Sequence, residues 1–290
     1  MIFIALFVSW LALRFSDLAK LVQIDDWFDG WRESVAALFD SSRLLAFGAA
    51  VLLPVLLLGL LLSWFGGWFF GLVEIGLNIA VMLFACGRYP IEDDIRHYRG
   101  ALQSGDASQL HDLGATHFGA AGVETDQLIA DIERVLSYRA YENWFAPACW
   151  FLLLGAPGAL FYRLLHICER VPATMTDDSE SAIDEIRQYS NTMVGWFDFV
   201  PARIWSVLQA LVSDFASVFA TIQRTIADLT SAACYLVRVQ NAALDAESGA
   251  ARREQSLSEL ALRRVDAIER LTHRTMIAAL IFVAVVFIAF

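Results

Sequence analysis

The run from Trp144 to His166, WFAPACWFLLLGAPGALFYRLLH, is long enough to cross a bilayer, yet it holds Gly155, Pro157 and Gly158 in its middle and Tyr162-Arg163 near its end. A bilayer-spanning helix needs about 20 mostly apolar residues. Glycine and proline free backbone polar groups, and at membrane depth those are tolerated only where neighbouring helices or a cavity satisfy them. The run therefore predicts a helix packed inside a bundle, broken at Gly155, Pro157 and Gly158, with Arg163 facing protein, water or headgroups.

The rest of the chain agrees with a membrane setting. Of its 290 residues 58% are hydrophobic and 18% charged, and the mean hydropathy is +0.53. Leu44 to Leu62 carries no charge and Trp68 to Cys86 only Glu74, so these read as consecutive spans joined by a turn at Ser63 to Gly67. The first residues, MIFIALFVSWLAL, lack a positive n-region and a small-residue cleavage pattern, and are read as retained rather than as a signal peptide. At about 1.5 Å per residue they reach only about two-thirds of a hydrocarbon core of about 30 Å, so Arg14 to Leu18 completes the segment or it lies partly in the interface. The same holds for Met276 to Phe290. The expected architecture is all-α: a polytopic α-helical membrane protein with cytoplasmic helical segments. It forms a single membrane domain over 1–290, with apolar segments near 1–18, 44–62, 68–86, 144–166 and 276–290.

Between the hairpin and the broken run lies a polar helical insert, 87–143. Pro90 at a first helical position, followed by Glu92, Asp93 and Asp94, suits the positive end of a helix better than a Mg²⁺ site. Ser104-Gly105-Asp106 ends that helix, Gly114 to Thr125 reads as a loop, and Thr125 is placed to cap a following helix through Leu128, Ile132 and Leu136. Glu169 to Glu180, acidic and carrying Pro172, reads as a loop outside the membrane. From Pro201 to about Ala243 an amphipathic helical pattern sets Ser206, Ser213, Ser217, Thr221, Arg224 and Asp228 against an apolar side. Its 201–223 portion is a further span, a re-entrant or interfacial helix, or a helix packed on a soluble core. After Gly249, Arg252 to Thr275 is a solvated amphipathic helix with favourable i,i+4 pairs, Glu259 with Arg263 and Asp266 with Arg270, and it feeds the terminal apolar segment.

If 201–223 crosses, 17 of the 21 Lys and Arg fall on one side, which would be cytoplasmic. If it does not, the division is nine against twelve and decides nothing. The net charge of -11 argues against nucleic acid, which needs a clustered basic face. Cys86, Cys149, Cys168 and Cys234 show no metal or redox spacing and read as unpaired membrane cysteines. His97, His111, His117, His166 and His273 are isolated, and no nucleophile elbow, phosphate loop or His-Glu-x-x-His occurs. No catalytic residue, metal site or cofactor is assigned. Ionisable residues at the ends of apolar segments are functional candidates by default, which selects Glu142, Asn143, Tyr162, Arg163, Asp198 and Arg203, with Pro201 beside the last. For Arg163 and Arg203, snorkelling to headgroups competes with that reading.

The blocks YRGALQSGDASQL, APACWFLLLGAPGALFYRLLH and WFDFVPARIWSVLQAL stand in an order that resembles the CobD/CbiB family of membrane proteins, and more particularly its divergent AmpE branch. The enzymes of the family resemble adenosylcobinamide-phosphate synthases, which join an amino alcohol to a corrinoid carboxylate. This chain departs from them: Phe118-Gly119-Ala120-Ala121-Gly122 replaces a Gly-Arg-Asp stretch, the Glu-Asn-Thr before the span is absent, His166-Ile167 stands for Asn-Thr, and Val194-Gly195 stands for an Asp-Asp pair. Those losses remove most groups that would bind a phosphate-metal unit or move protons.

The resemblance implies a multi-pass bacterial inner-membrane protein that modulates β-lactamase induction alongside muropeptide recycling. Its partners would be the lipid bilayer and either a cell-wall-derived ligand or a membrane protein. The alternatives are a synthase-like enzyme condensing an amine with a carboxylate, and a small-molecule transporter built on the broken span.

Overall fold

The structure is a computed structural model that describes residues 2–16, 21–39, 42–65, 71–88, 91–120, 122, 124–169, 180–226, 231–247 and 257–289. Pro90, Asp228, Gly249, Arg252, Pro172 with most of its acidic loop, Trp68 and the end of the turn after Ser63 lie outside the described residues. Among those described the chain is all-helical, without a strand. In chain order the helices are α1 (Ile2–Phe15), α2 (Asp26–Leu38), α3 (Arg43–Phe65), α4 (Leu72–Ala85), α5 (Ile91–Ser104), α6 (Ala107–Leu113), α7 (Thr125–Glu142), α8 (Phe145–Glu169), α9 (Glu180–Val212), α10 (Phe215–Thr225), α11 (Ala232–Glu247) and α12 (Leu257–Ala289). They divide into two compact units, each assembled from two stretches of chain.

The first unit comprises Met1–Arg88 and Ala146–Asp198. Its core joins Phe28 of α2, Phe47 and Val51 of α3, Phe84 of α4, Leu160, Leu164 and Leu165 of α8 and Val194 of α9. α3 contains Pro54, which has no N–H to offer the Ala50 carbonyl; the Trp31 indole supplies it, Nε1 donating to Ala50 O at 3.0 Å. α8 is two helices meeting at Gly155, whose backbone (φ 72, ψ -164) lies outside the helical region. Gly158 then packs so closely on the turn before the break that a Cβ there would sit 2.6 Å from Leu154 Cβ and 2.7 Å from Trp150 O.

Two helical stretches among the described residues are long and apolar enough to cross a membrane: Leu44–Phe65, which is largely exposed, and one within Thr125–Glu169, which is mostly buried. Ile4–Leu13 and Leu72–Ala85 are shorter apolar helices.

The second unit comprises Tyr89–Phe145 and Phe199–Phe290. Its core gathers Ile95, Tyr98 and Leu102 of α5, Leu110 of α6, Leu128, Ile132 and Leu136 of α7, and Ala261 and Val265 of α12. α5 stops where Ser104-Gly105-Asp106 predicts: Gly105 takes φ 68 and Asp106 caps α6 by accepting from Ser108 N–H at 2.9 Å. Beyond α6 the expected loop is in part a single π-helical turn, Gly114–Phe118, closed by Gly119 at φ 63.

Three local expectations change. Thr125 is the first helical residue of α7 and makes no cap; Glu124 holds the cap position without a side-chain bond. The pattern from Pro201 is distributed over the end of α9, α10 and α11, with a break at Ser213-Asp214. Pro201 lies inside α9, which already starts at Glu180. Asp266 pairs with Arg99 of α5 at 2.8 Å rather than with Arg270, because a partner on a packed neighbour outcompetes one on the same exposed face.

Candidate functional site

The polar residues at the ends of the apolar segments divide between the units. In the first, α8 turns Tyr162, Arg163 and His166 inward, all buried. The Tyr162 hydroxyl donates to Asp198 Oδ1 of α9 at 2.7 Å, so two of the candidates meet. Arg163 reaches Asp25 Oδ2 at 3.6 Å. Asp25 precedes α2 and is also gripped by Arg88, whose two terminal nitrogens donate to its two oxygens at 2.8 Å each. One carboxylate thus sits between two guanidinium groups.

Local structure fixes Arg88 and Asp25 in place. Gln23 Nε2 donates to the carbonyls of Leu83 (2.9 Å) and Cys86 (2.6 Å), capping the end of α4. Gly87 follows at φ 74, where a Cβ would run into Leu13 of α1. Arg88 folds back over the Phe84 ring at 4.9 Å, and its Nε donates to Phe84 O at 3.2 Å. His166, one turn beyond Tyr162, lies against that ring at 4.6 Å and places Nδ1 3.4 Å from Glu169 Oε2.

Arg88 escaped selection from the sequence although it closes an apolar segment, whereas Asp25 stands before the amphipathic α2 and falls outside the rule that found Arg163. Val194, at the position where the resemblance calls for an acidic residue, packs in the apolar core.

The remaining candidates belong to the second unit. Glu142 is buried at the end of α7, with Asn143 half-buried after it. Arg203 lies between two aromatic rings, 3.9 Å from the centroid of Phe199 and 4.2 Å from that of Tyr235, and the Tyr235 hydroxyl shares a 2.7 Å hydrogen bond with Ser206. This stacking holds a guanidinium by its faces and suits packing of α11 on α9 better than snorkelling.

A second set of polar contacts lies on α5, α7 and α12 and includes Arg264, from the helix expected to be solvated. Asp94 is buried, accepts from Arg139 at 2.9 Å and lies 2.7 Å from His117 Nε2; Arg139 also donates to His117 O at 2.8 Å. Arg264 donates to both oxygens of buried Glu133 (2.9 to 3.1 Å) and to Asn241 Oδ1 at 2.7 Å. Burial works to lower the Arg264 pKa, but the hydrogen bonds and charge of Glu133 outweigh it and hold the group above its ordinary value. Among the described residues, no three His, Cys, Asp or Glu side chains converge in a way that could hold a metal ion.

Buried Asp94, Glu133 and Arg163 each reach an opposite charge outside their own helix. Such pairs fix helix register, and the Asp25–Arg88–Arg163 group additionally offers an anion two guanidiniums at the price of displacing one carboxylate. The sequence model of the family described as "Regulatory signalling modulator protein AmpE" matches residues 2–289. No curated protein and no solved structure matches the chain.

Proposed function

The chain belongs to the AmpE family of regulatory signalling modulators, and from that premise we propose that it works without catalysis at the bacterial inner membrane. There it modulates β-lactamase induction in step with muropeptide recycling, by binding a cell-wall-derived ligand or a membrane partner. The family match over nearly the whole chain carries this reading. The exposed apolar surface of α3 supports a bilayer setting, since contiguous exposed leucines are rare on soluble proteins. Descent of the scaffold from the CobD/CbiB enzymes is part of the same proposal and rests on the Gly-Ala-Pro-Gly to Tyr-Arg block.

Within this reading the ligand-responsive group is Asp25 with Arg88 and Arg163. The Arg163 contact at 3.6 Å is longer than the Arg88 pair at 2.8 Å, so an anionic ligand would compete with Asp25 for Arg163 first. The test is complementation of a deletion strain in the native host, reading β-lactamase activity after a β-lactam challenge. The unmodified gene should restore the induction profile, and Arg163→Ala and Asp25→Asn should alter it at equal membrane abundance. A deletion that leaves induction unchanged would sink the proposal.

A further inference from the structure

α12 has one face that stays constant along its length and one that changes. The inward face is continuous: Val265, Ile268, Leu271, Thr275, Ala279 and Val283 are at most 2% exposed and recur every three or four residues. The outward face runs through Arg263, Arg270 and Arg274 and then Ile277, Ile281 and Val285, which are 56%, 59% and 57% exposed. At about 100° per residue these six fall within about 80° of helix circumference. The change from cation to aliphatic chain takes less than one turn, from Arg274 to Ile277, or about 4.5 Å along the axis.

No single solvent suits that face. Water would leave three adjacent aliphatic side chains hydrated, and hydrocarbon would strand the arginines. A boundary suits both halves, with the arginines at the level where lipid phosphates lie. Arg270 keeps its charge because Asp266, the residue one turn before it, is drawn away to Arg99 at 2.8 Å, with Glu269 also on Arg99 at 2.6 Å. Among the described residues no carboxylate reaches Arg270. Glu259, on the same face, is about 27 Å from Ile277 along the axis, and His273 is exposed beside the arginines.

We propose that this face of α12 docks in an anionic leaflet, with Arg270 and Arg274 on lipid phosphates and Ile277, Ile281 and Val285 among the acyl chains. The proposal rests on the membrane placement argued above and adds the lipid class and the depth. The test uses the full-length protein in a non-ionic detergent. Affinity for pyrene-labelled phosphatidylglycerol and phosphatidylcholine is measured by energy transfer from tryptophan, with inorganic phosphate as a competitor.

The unmodified protein should prefer phosphatidylglycerol, and R270Q with R274Q should cut that preference by about fivefold per arginine. R270K with R274K should keep it, as should R96Q, which removes an exposed arginine elsewhere. Equal affinity for the two lipids, survival of the preference in R270Q/R274Q, an equal loss in R96Q, or displacement by inorganic phosphate would each overturn the proposal. Recovery of the unmodified chain in the soluble fraction of cells would overturn the membrane placement as well. Recovery with the membranes but no lipid preference would overturn the docking alone.

Discussion

Two buried tyrosines show how much one hydrogen bond decides. The Tyr98 hydroxyl is fully buried and has no hydrogen-bond partner among the described residues. Burial first, and then the charge of Glu133, raises its pKa, with Arg264 opposing. An unpaired buried hydroxyl costs about 1–3 kcal/mol, so Tyr98→Phe is expected to stabilise the protein by about 1 kcal/mol in chemical melts. The pH dependence has a definite sign. An unfolded tyrosine ionises near pH 10, while folded Tyr98 keeps its proton higher. Its contribution is therefore complete below about pH 10 and is lost as pH rises towards the folded pKa; Tyr98→Phe should flatten that alkaline slope. Tyr162 is the opposite case. Its hydroxyl donates to buried Asp198 at 2.7 Å, so Tyr162→Phe removes a donor from a buried carboxylate and should cost about 2 kcal/mol. Asp198→Asn in the same background should recover part of that loss.

At the scale of the element, the break in α8 was legible and the course of α9 was not. Gly155-Ala156-Pro157-Gly158 announces a break because the cause is local: Pro157 lacks an N–H, and only glycine readily adopts φ 72 with ψ -164. The stop at Ser104-Gly105-Asp106 was readable for the same reason. Pro201 misled because proline at a first helical turn and proline inside a long helix leave the same trace in sequence, and tertiary packing decides between them. Pairings were the least legible part. Asp25 and Arg163 meet from distant stretches of chain, and Asp266 passes over Arg270 for Arg99; spacing along one helix carries no information about a neighbour. Gly155→Ala should cost about 2 kcal/mol by forcing an L-residue into that conformation. Gly158→Ala should be at least as severe, since its Cβ meets a carbonyl oxygen at 2.7 Å, and a backbone atom cannot rotate away. Thermal melts of both variants in detergent, against Gly59→Ala where a Cβ meets nothing within 4 Å, measure the difference.

Across the whole molecule, each unit has its own apolar core and its own ion pairs between distant stretches of chain. The first gathers the apolar helices α1, α3 and α4 with the broken α8, and among the described residues Asp25 joins Arg88 and Arg163 there. The second is joined by ion pairs between helices far apart in sequence, chiefly Arg264 with Glu133 and Arg99 with Asp266 and Glu269. Removing one member of a buried pair leaves an uncompensated charge, whereas replacing both by apolar groups is close to neutral. Arg264→Met should therefore cost about 3 kcal/mol, the low end of the usual range, because its side chain keeps 20% exposure. Arg264→Met with Glu133→Leu should recover most of that. Hydrogen exchange locates the effect. In Arg264→Met, amides in 91–145 and 199–289 should lose protection while those in 2–88 and 146–198 keep theirs, and the double variant should restore the pattern. A uniform loss over both sets would mean that the units unfold as one, and that the Glu133 pair supports the whole chain rather than the second unit.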